Sequence, residues 1–581
     1  MKYSIIIDDI ALGGFAPQWY AQGTYPSYGN KNQAGAMTNI DMTGSGFIQQ
    51  GQGLANLTNG TQASAVTTLI KGALDFAASS DLTYAIGGAK LYSLSSTTVT
   101  SGVYFPHTIA KAVVTGEDGE DVGLYKNRLY YTYNHTNSVG SSTTQFDITN
   151  TSGTTYRYTY DTTGTDPAIT AITFVVGSQV TIIGTNFATG NNGTFTITAS
   201  AANYFEVDNP AGTAESNKTI GSGTIVVLGG DIGKYDLVTT FDDDWGSTVP
   251  SGMGGLIGGV PHQIIVGGND TMYISNGRYI TSYDGTTLIP QALDLPTGAV
   301  IQSIAWMSDR IWIATNRTNL TGSNKNSASI FIWDGTTDSW ESEIKLMGTV
   351  GGLHVKNGVM FVFYQDLTNT GGYKLAYVNG SSITDVANFT GGLPAYYQIT
   401  DFEDFIIWNS NGDIWAFGSG DKDLPVRLFQ MADGGYATVG CVVCPFGTPI
   451  IASWDAGSNY KLAKFSGYDT NSSWKSTIFD VSGDSKNTGI DSVRINFEKL
   501  TSGARVDWRL VNNEGTVIYP TPASGNSTEV ISYSKLGAIS SKYYPLNGLT
   551  TDNFRIEFDY SSGSTSATVQ IKNAKIYGSS K

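Results

Sequence analysis

MYISNGRYITSYDGTT (272–287), RIWIATNR (310–317) with SIFIWDGTTDSW (329–340), and DFIIWNSNGDIWAFGSG (404–420) repeat one pattern. An apolar strand is followed by a polar or Gly turn, a strand rich in Trp, Tyr or Phe, a loop and another aromatic strand. One copy has too little partner surface to bury both of its faces. Units of roughly 40–50 residues, each a few antiparallel strands, are the signature of β-propeller blades, which bury their faces against one another.

Working outward, further units fall at about 258–290, 298–345, 350–392, 397–432 and 436–466. Two earlier ones lie in 67–94 and 107–134. The expectation is an all-β propeller of about seven blades, within a range of six to eight. The pattern breaks at PAITAITFVVGSQVTIIGTNFATGNNGTFTITASAANYFEVDNP (167–210), which alternates apolar and polar residues between Gly-Thr-Asn and Asn-Asn-Gly turns. It predicts a small inserted β-barrel or sandwich. After residue 466 the strands lengthen, in 476–500, 504–519 and 553–578, with hairpin turns at 513–515 and 561–563. That texture predicts a jelly-roll β-sandwich.

Residues 1–10 read as one strand. Residues 11–53 are rich in Gly, Gln, Asn and aromatics with little periodicity, which suits an arm that docks. The expected division is 1–66 strand and arm, 67–149 first part of the propeller, 150–229 insert, 230–466 second part, and 467–581 sandwich. A propeller often completes one blade with a strand from the far terminus, for which 1–10 or 67–77 are the candidates.

Among the 581 residues, 40% are hydrophobic and only 14% charged, with 70 Gly and 33 Tyr, as suits strands joined by tight turns. Lys and Arg total 33 against 49 Asp and Glu, a formal charge of −16. Such a surface disfavours nucleic-acid binding, which needs cations on phosphates, yet suits a conduit to which DNA should not stick. MKYSIIIDDIALGG (1–14) does not read as a signal peptide, and no run of 18 apolar residues occurs, so no membrane partner is expected.

Catalytic, cofactor and metal residues are expected to be none. His107, His135, His262 and His354 form no HxH or HExxH pair. Cys441 and Cys444 lack the second pair of a zinc site and the βαβ setting of a redox motif, and read as buried structural cysteines. FDDDWG (241–246) reads as a solvated loop, with a cation as the alternative. Sialidase-type propellers carry SxDxGxxW turns, but YDGTT (283–287) and WDGTTDSW (333–340) lack the leading Ser and the spacing. Their Asp-Gly pairs read as type I′ hairpin turns. Arg278, Arg310, Arg317 and Arg427 are sparse for a carboxylate-binding cluster. Trp474 and Trp508 read as sandwich core, with sugar stacking as the alternative.

Three stretches carry a family resemblance. GGVPHQIIVGGNDTMYISNGRYITSYDGTTLIPQALDLPTG (258–298) resembles propeller proteins of tailed bacteriophages. FVVGSQVTIIGTNFATGNNGTFTITASAANYFEVDN (174–209) is similar to β-domains inserted in phage tail and neck proteins, and SSWKSTIFDVSG (472–483) to their accessory jelly rolls. The resemblance to tail-nozzle propellers of short-tailed phages implies a non-enzymatic virion protein, assembled in the host cytoplasm. It implies a self-associated ring that extends the DNA channel and serves DNA ejection. It also implies adaptor and fibre proteins as neighbours, a host receptor within reach, and DNA passing without specific binding. A receptor- or carbohydrate-binding adhesin, with Trp474 or Trp508 facing solvent, is the alternative. A propeller glycosidase is a third reading.

Overall fold

The computed structural model describes residues 2–7, 34–38, 40–41, 47–56, 72–76, 82–87, 90–95 and 107–108, and most of 114–580. The larger gaps are 161–173, 249–254, 318–326, 419–424, 430–437, 445–450, 481–487 and 521–527. The chain forms two compact units, one of residues 60–398 and one of residues 1–59 with 399–581. Nearly every element is a strand. Among the described residues the α-helices are two single turns, Trp245–Thr248 and Tyr533–Leu536, and no helix is long and apolar enough to cross a membrane.

Among the described residues the 60–398 unit contains five antiparallel meanders. The first is Gly72–Phe76, Leu82–Gly87, Lys90–Ser95 and His107–Thr108. The second is built on Val114–Tyr125, Arg128–Val139 and Thr224–Tyr235. The third is Ile264–Val266, Met272–Asn276, Tyr279–Tyr283 and Leu288–Asp294. The fourth begins with Ala299–Met307, Arg310–Arg317 and Ser327–Trp333. Ser342–Lys356 ends the fourth and opens the fifth, its early residues pairing with Ser327–Trp333 and its later ones with Val359–Asp366. Gly372–Asn379 and Ser382–Thr390 finish the fifth.

The other unit adds two more: Ile399–Phe402, Phe405–Ser410, Asp413–Phe417 and Val426–Phe429, then Thr438–Val443, Ile451–Asp455 and Tyr460–Tyr468 with Gln52–Asn56. The described residues thus hold seven blade-type sheets, the expected number, and the fold is all-β and of β-propeller type. The closing strand differs from both candidates. Lys2–Ile7 pairs with Ile571–Ser580 of the sandwich, and Gly72–Phe76 opens its own sheet. It is Gln52–Asn56, inside the stretch read as an arm, that completes the last blade.

The insert has its own core of Phe146, Ile148, Tyr158, Val180, Phe205 and Ile225. Its first strand, Gln145–Ser152, starts ahead of the boundary at 150. Blade and insert share strands, because Arg128–Val139 and Thr224–Tyr235 stay paired from Leu129↔Tyr235 to Val139↔Ile225. The C-terminal sandwich packs the sheet Lys2–Ile7, Ile571–Ser580, Thr488–Phe497 and Ser541–Thr550 against one built on Asn553–Asp559 and Arg505–Val511. Alternate residues such as Val493, Ile495 and Ile576 point into its core, as the period-2 pattern requires.

Turn chemistry explains the strand spacing, with a correction. Type I′ turns need φ > 0 at both central residues. Lys126-Asn127, Ser308-Asp309 and Asn357-Gly358 meet that demand between paired strands. At the two Asp-Gly sites only Gly285 and Gly335 have positive φ, so these are not type I′ turns. Asp284 Oδ1 accepts from the backbone of Thr286 and Thr287, each at 2.7 Å. Asp334 Oδ1 accepts likewise from Thr336 at 2.8 Å and Thr337 at 2.9 Å. The carboxylate replaces the missing backbone partner, which is why the motif is Asp-Gly-Thr-Thr in both. The 561–563 stretch is also no tight hairpin, since the flanking strands are Asn553–Asp559 and Ile571–Ser580.

Candidate functional site

The site of the 60–398 unit is built by its inner strands. Three of them are joined to the next blade by a side chain that accepts a backbone N–H. Asp121 Oδ2 accepts from Ile264 at 2.8 Å, Gln263 Oε1 from Ile304 at 2.7 Å, and Ser303 Oγ from Leu353 at 3.0 Å. The register is regular: Gln263 directly precedes Ile264, and Ser303 directly precedes Ile304. At the following step the equivalent residue is Gly352, which has no side chain to offer. Tyr396 donates its hydroxyl to the Glu120 carbonyl at 3.0 Å.

The same strands carry a β-bulge at matching places. The ladder register shifts between Gly119 and Asp121, between Ile301 and Ser303, and between Val350 and Gly352. The extra residues are Glu120, Gln302 and Gly351, and all three line a cleft of about 770 Å³. A bulge leaves one residue outside the ladder and re-aims it, and here it turns one residue per strand into the same space. Asp118, Asn134, His135, Asn316, Tyr396 and Tyr397 are among the other polar residues of the wall. No Lys or Arg lines it among the described residues.

The wall is rigid because its polar groups hold one another. Asn134 Nδ2 donates to Glu120 Oε1 at 2.8 Å, while Asn134 Oδ1 accepts from Gly259 at 2.8 Å. Asn316 exchanges two bonds with the Val350 backbone, at 2.9 and 2.8 Å. Behind the wall, burial pushes the Asp121 carboxyl up to about 8, against the lowering effect of the Ile264 and Val122 N–H groups. Chemically, the cleft offers two carboxylates, Asp118 and Glu120, beside tyrosines and a histidine. That set can accept hydrogen bonds and attract a cation, and it repels phosphate.

The residues singled out by sequence fall as follows. His135 and His262, distant in sequence, approach adjacent glycines: a Cβ on Gly229 would overlap the His135 ring, and one on Gly230 would lie 2.9 Å from His262 Nε2. His262 is buried, with Nδ1 3.0 Å from the Ser275 carbonyl. His354 is half-buried, and the side chain of His107 lies outside the described residues. Cys441 is buried and Cys444 only half-buried, both as free thiols. Asp242 pairs with Lys234 at 3.7 Å, while Asp243 and Asp244 lie outside the described residues. Among the described residues no group of three or more His, Cys, Asp or Glu is placed to hold a metal ion. Arg278, Arg310 and Arg317 are held by Asp294, Glu341 and Glu343, and the Arg427 side chain lies outside the described residues. Trp474 and Trp508 are both 0% exposed in the sandwich core, so neither can stack on a sugar. The bulge set Glu120, Gln302 and Gly351 was not read from sequence, where it has no local signature.

No family model matches the chain, and no curated protein matches it either. Among solved structures it is similar to the phage phi92 endosialidase, at 10% identity and a TM-score of 0.29, covering 72% of this chain and 69% of that one. It is similar to YCF48 bound to D1 peptide at 8% identity and a TM-score of 0.35, covering 74% and 97%. An exo-β-1,3-galactanase from Phanerochaete chrysosporium gives 10% identity and 0.25, covering 54% and 95%. None of these scores reaches one half, so the propeller class rests on the blade sheets themselves.

Proposed function

We propose that this chain is a structural protein of a tailed-phage virion, which self-associates into a ring at the tail tip or nozzle and lets DNA pass without specific binding. The observation that carries the reading is the distribution of charge on the blades. The inner cleft is lined by Asp118 and Glu120 and, among the described residues, by no Lys or Arg, while Arg278, Arg310 and Arg317 of the blades are engaged by carboxylates. A net charge of −16 agrees with a wall that passes a polyanion and does not hold it. The resemblance of 258–298, 174–209 and 472–483 to phage tail proteins supports the same reading. Its partners are then adaptor and fibre proteins, and a host receptor at the periphery. Native mass spectrometry of the full chain tests it. A closed oligomer is expected, with no DNA retention at physiological salt; a monomer at high concentration, or tight DNA binding, would overturn it.

A second reading, glycoside hydrolysis, has one observation in its favour: Asp118 and Glu120 share a cleft, and such hydrolysis uses paired carboxylates. Hydrolysis assays with Asp118→Asn and Glu120→Gln decide it, because turnover lost in both variants would replace the structural reading.

A further inference from the structure

The outward face of the sandwich sheet Lys2–Ile7, Ile571–Ser580, Thr488–Phe497 and Ser541–Thr550 carries an arrangement that folding does not explain. Val493, Ile495, Ile576 and Tyr544 of this sheet are buried. The alternate positions therefore face outward. In one cross-strand row Tyr543 stands opposite Arg494, and Arg494 opposite Lys575. In the next row Pro545 and Tyr577 flank Ser492. Tyr543 is 55% exposed and Tyr577 38%.

Two observations point to a ligand. First, Arg494 and Lys575 are like charges directly opposed across a ladder, an arrangement that is unfavourable by itself. Neither carries an ion pair among the described residues, although the chain has 49 carboxylates and nearby Glu498 is bound by Lys572 at 2.6 Å. Second, the two exposed tyrosines bracket the cations. They lie two strands and two residues apart, a separation on the order of 12 Å, and tyrosine presents an apolar ring with a polar tip. On the same face Asn496 and Asn573 are joined by a hydrogen bond.

We propose that this face binds a carboxylate-bearing oligosaccharide, with Tyr543 and Tyr577 stacking on sugar rings and Arg494 and Lys575 pairing with uronate-type carboxylates. Arginine matches a carboxylate bidentately, and the adjacent lysine supplies a second point charge. The charge complementarity is local, because screening confines it to about 8 Å at physiological salt. A second copy of this chain fits less well. The centre of the face is a pair of cations, where self-association uses an apolar centre. Nucleic acid needs a longer track of cations. The inference does not depend on the ring reading, and its failure would leave that reading untouched.

The test is calorimetric titration of the full chain with oligogalacturonate, alginate and hyaluronan oligomers, with dextran as the neutral probe. At least one acidic glycan should bind and dextran should not. Arg494→Gln with Lys575→Gln, and separately Tyr543→Ala with Tyr577→Ala, should each weaken binding about tenfold or more. Neither double variant alters a buried side chain, so their unfolding midpoints should match the parent's. Several results would overturn the proposal: no acidic glycan binding, affinity undiminished in the variants, or heparin and single-stranded DNA binding as tightly as the uronate oligomers. Dissociation of an oligomer by either double variant would also overturn it, by assigning the face to a second copy.

Discussion

Asp121 and Glu557 are both buried carboxylates, and their surroundings drive them in opposite directions. Burial dominates at Asp121 and raises its carboxyl to about 8. Between the ordinary value of 3.8 and about 8 the unfolded chain has released this proton and the folded chain keeps it. Stability from this group is therefore full below pH 4 and declines as pH rises toward 8. Asp121→Asn should remove that component, flattening the thermal midpoint between pH 5 and 8 relative to the parent. Parallel profiles would refute the assignment. At Glu557 burial also raises the carboxyl, but Arg555 at 2.6 Å and Arg509 at 2.7 Å outweigh it and the net shift is downward. Its contribution is present above the ordinary value of 4.5 and is lost as pH falls through the lower folded value. Glu557→Gln leaves Arg555 buried without its counter-charge, at a cost of roughly 3–5 kcal/mol. Urea unfolding at pH 7 measures it, and a change below 1 kcal/mol would mean the network is solvated.

At the scale of elements, the blades are aligned by the stitches from Asp121, Gln263 and Ser303. Ser303→Ala would leave the Leu353 N–H buried without its acceptor, a loss of about 1–3 kcal/mol in denaturant unfolding. An unchanged midpoint would show that the stitch is dispensable. The Ser308-Asp309 turn offers a change of the other sign. Both residues are left-handed, with φ of 52 and 56, yet neither is glycine. Left-handed backbone costs an L-residue about 1–2 kcal/mol, a strain that glycine escapes. Asp309→Gly should therefore raise the midpoint, and a fall would mean that the Asp309 side chain has an unrecognised role. The Asp-Gly-Thr-Thr turns were visible in sequence as turns, since Gly marks them. Their geometry was not, because two threonine amides satisfied by one carboxylate look the same in sequence as a type I′ pair.

For the molecule as a whole, the N-terminal segment holds two distant sheets of its unit. Gln52–Asn56 closes the last blade against Tyr460–Tyr468, and Lys2–Ile7 pairs with Ile571–Ser580 in the sandwich. Deleting residues 1–59 should expose both edges, which then template association. Size-exclusion chromatography should show aggregation and calorimetry a lower first transition. A monodisperse truncated protein with unaltered transitions would show that these strands are accessory.

The sequence by itself determined the all-β class, the seven repeats, the insert and the terminal sandwich. Each is written in local terms: period-2 alternation, aromatic strands and turn residues within a few positions. The tertiary structure alone decided which strand closes the last blade, because pairing residue 54 with residue 465 leaves no local mark. It also placed Glu120, Gln302 and Gly351 in one cleft, since a bulge depends on the partner strand's register. It buried Trp474 and Trp508 and exposed Tyr543 and Tyr577, although all four are aromatics in alternating strands. A one-residue change of register exchanges core and surface, and register is set by contacts between strands far apart in the chain.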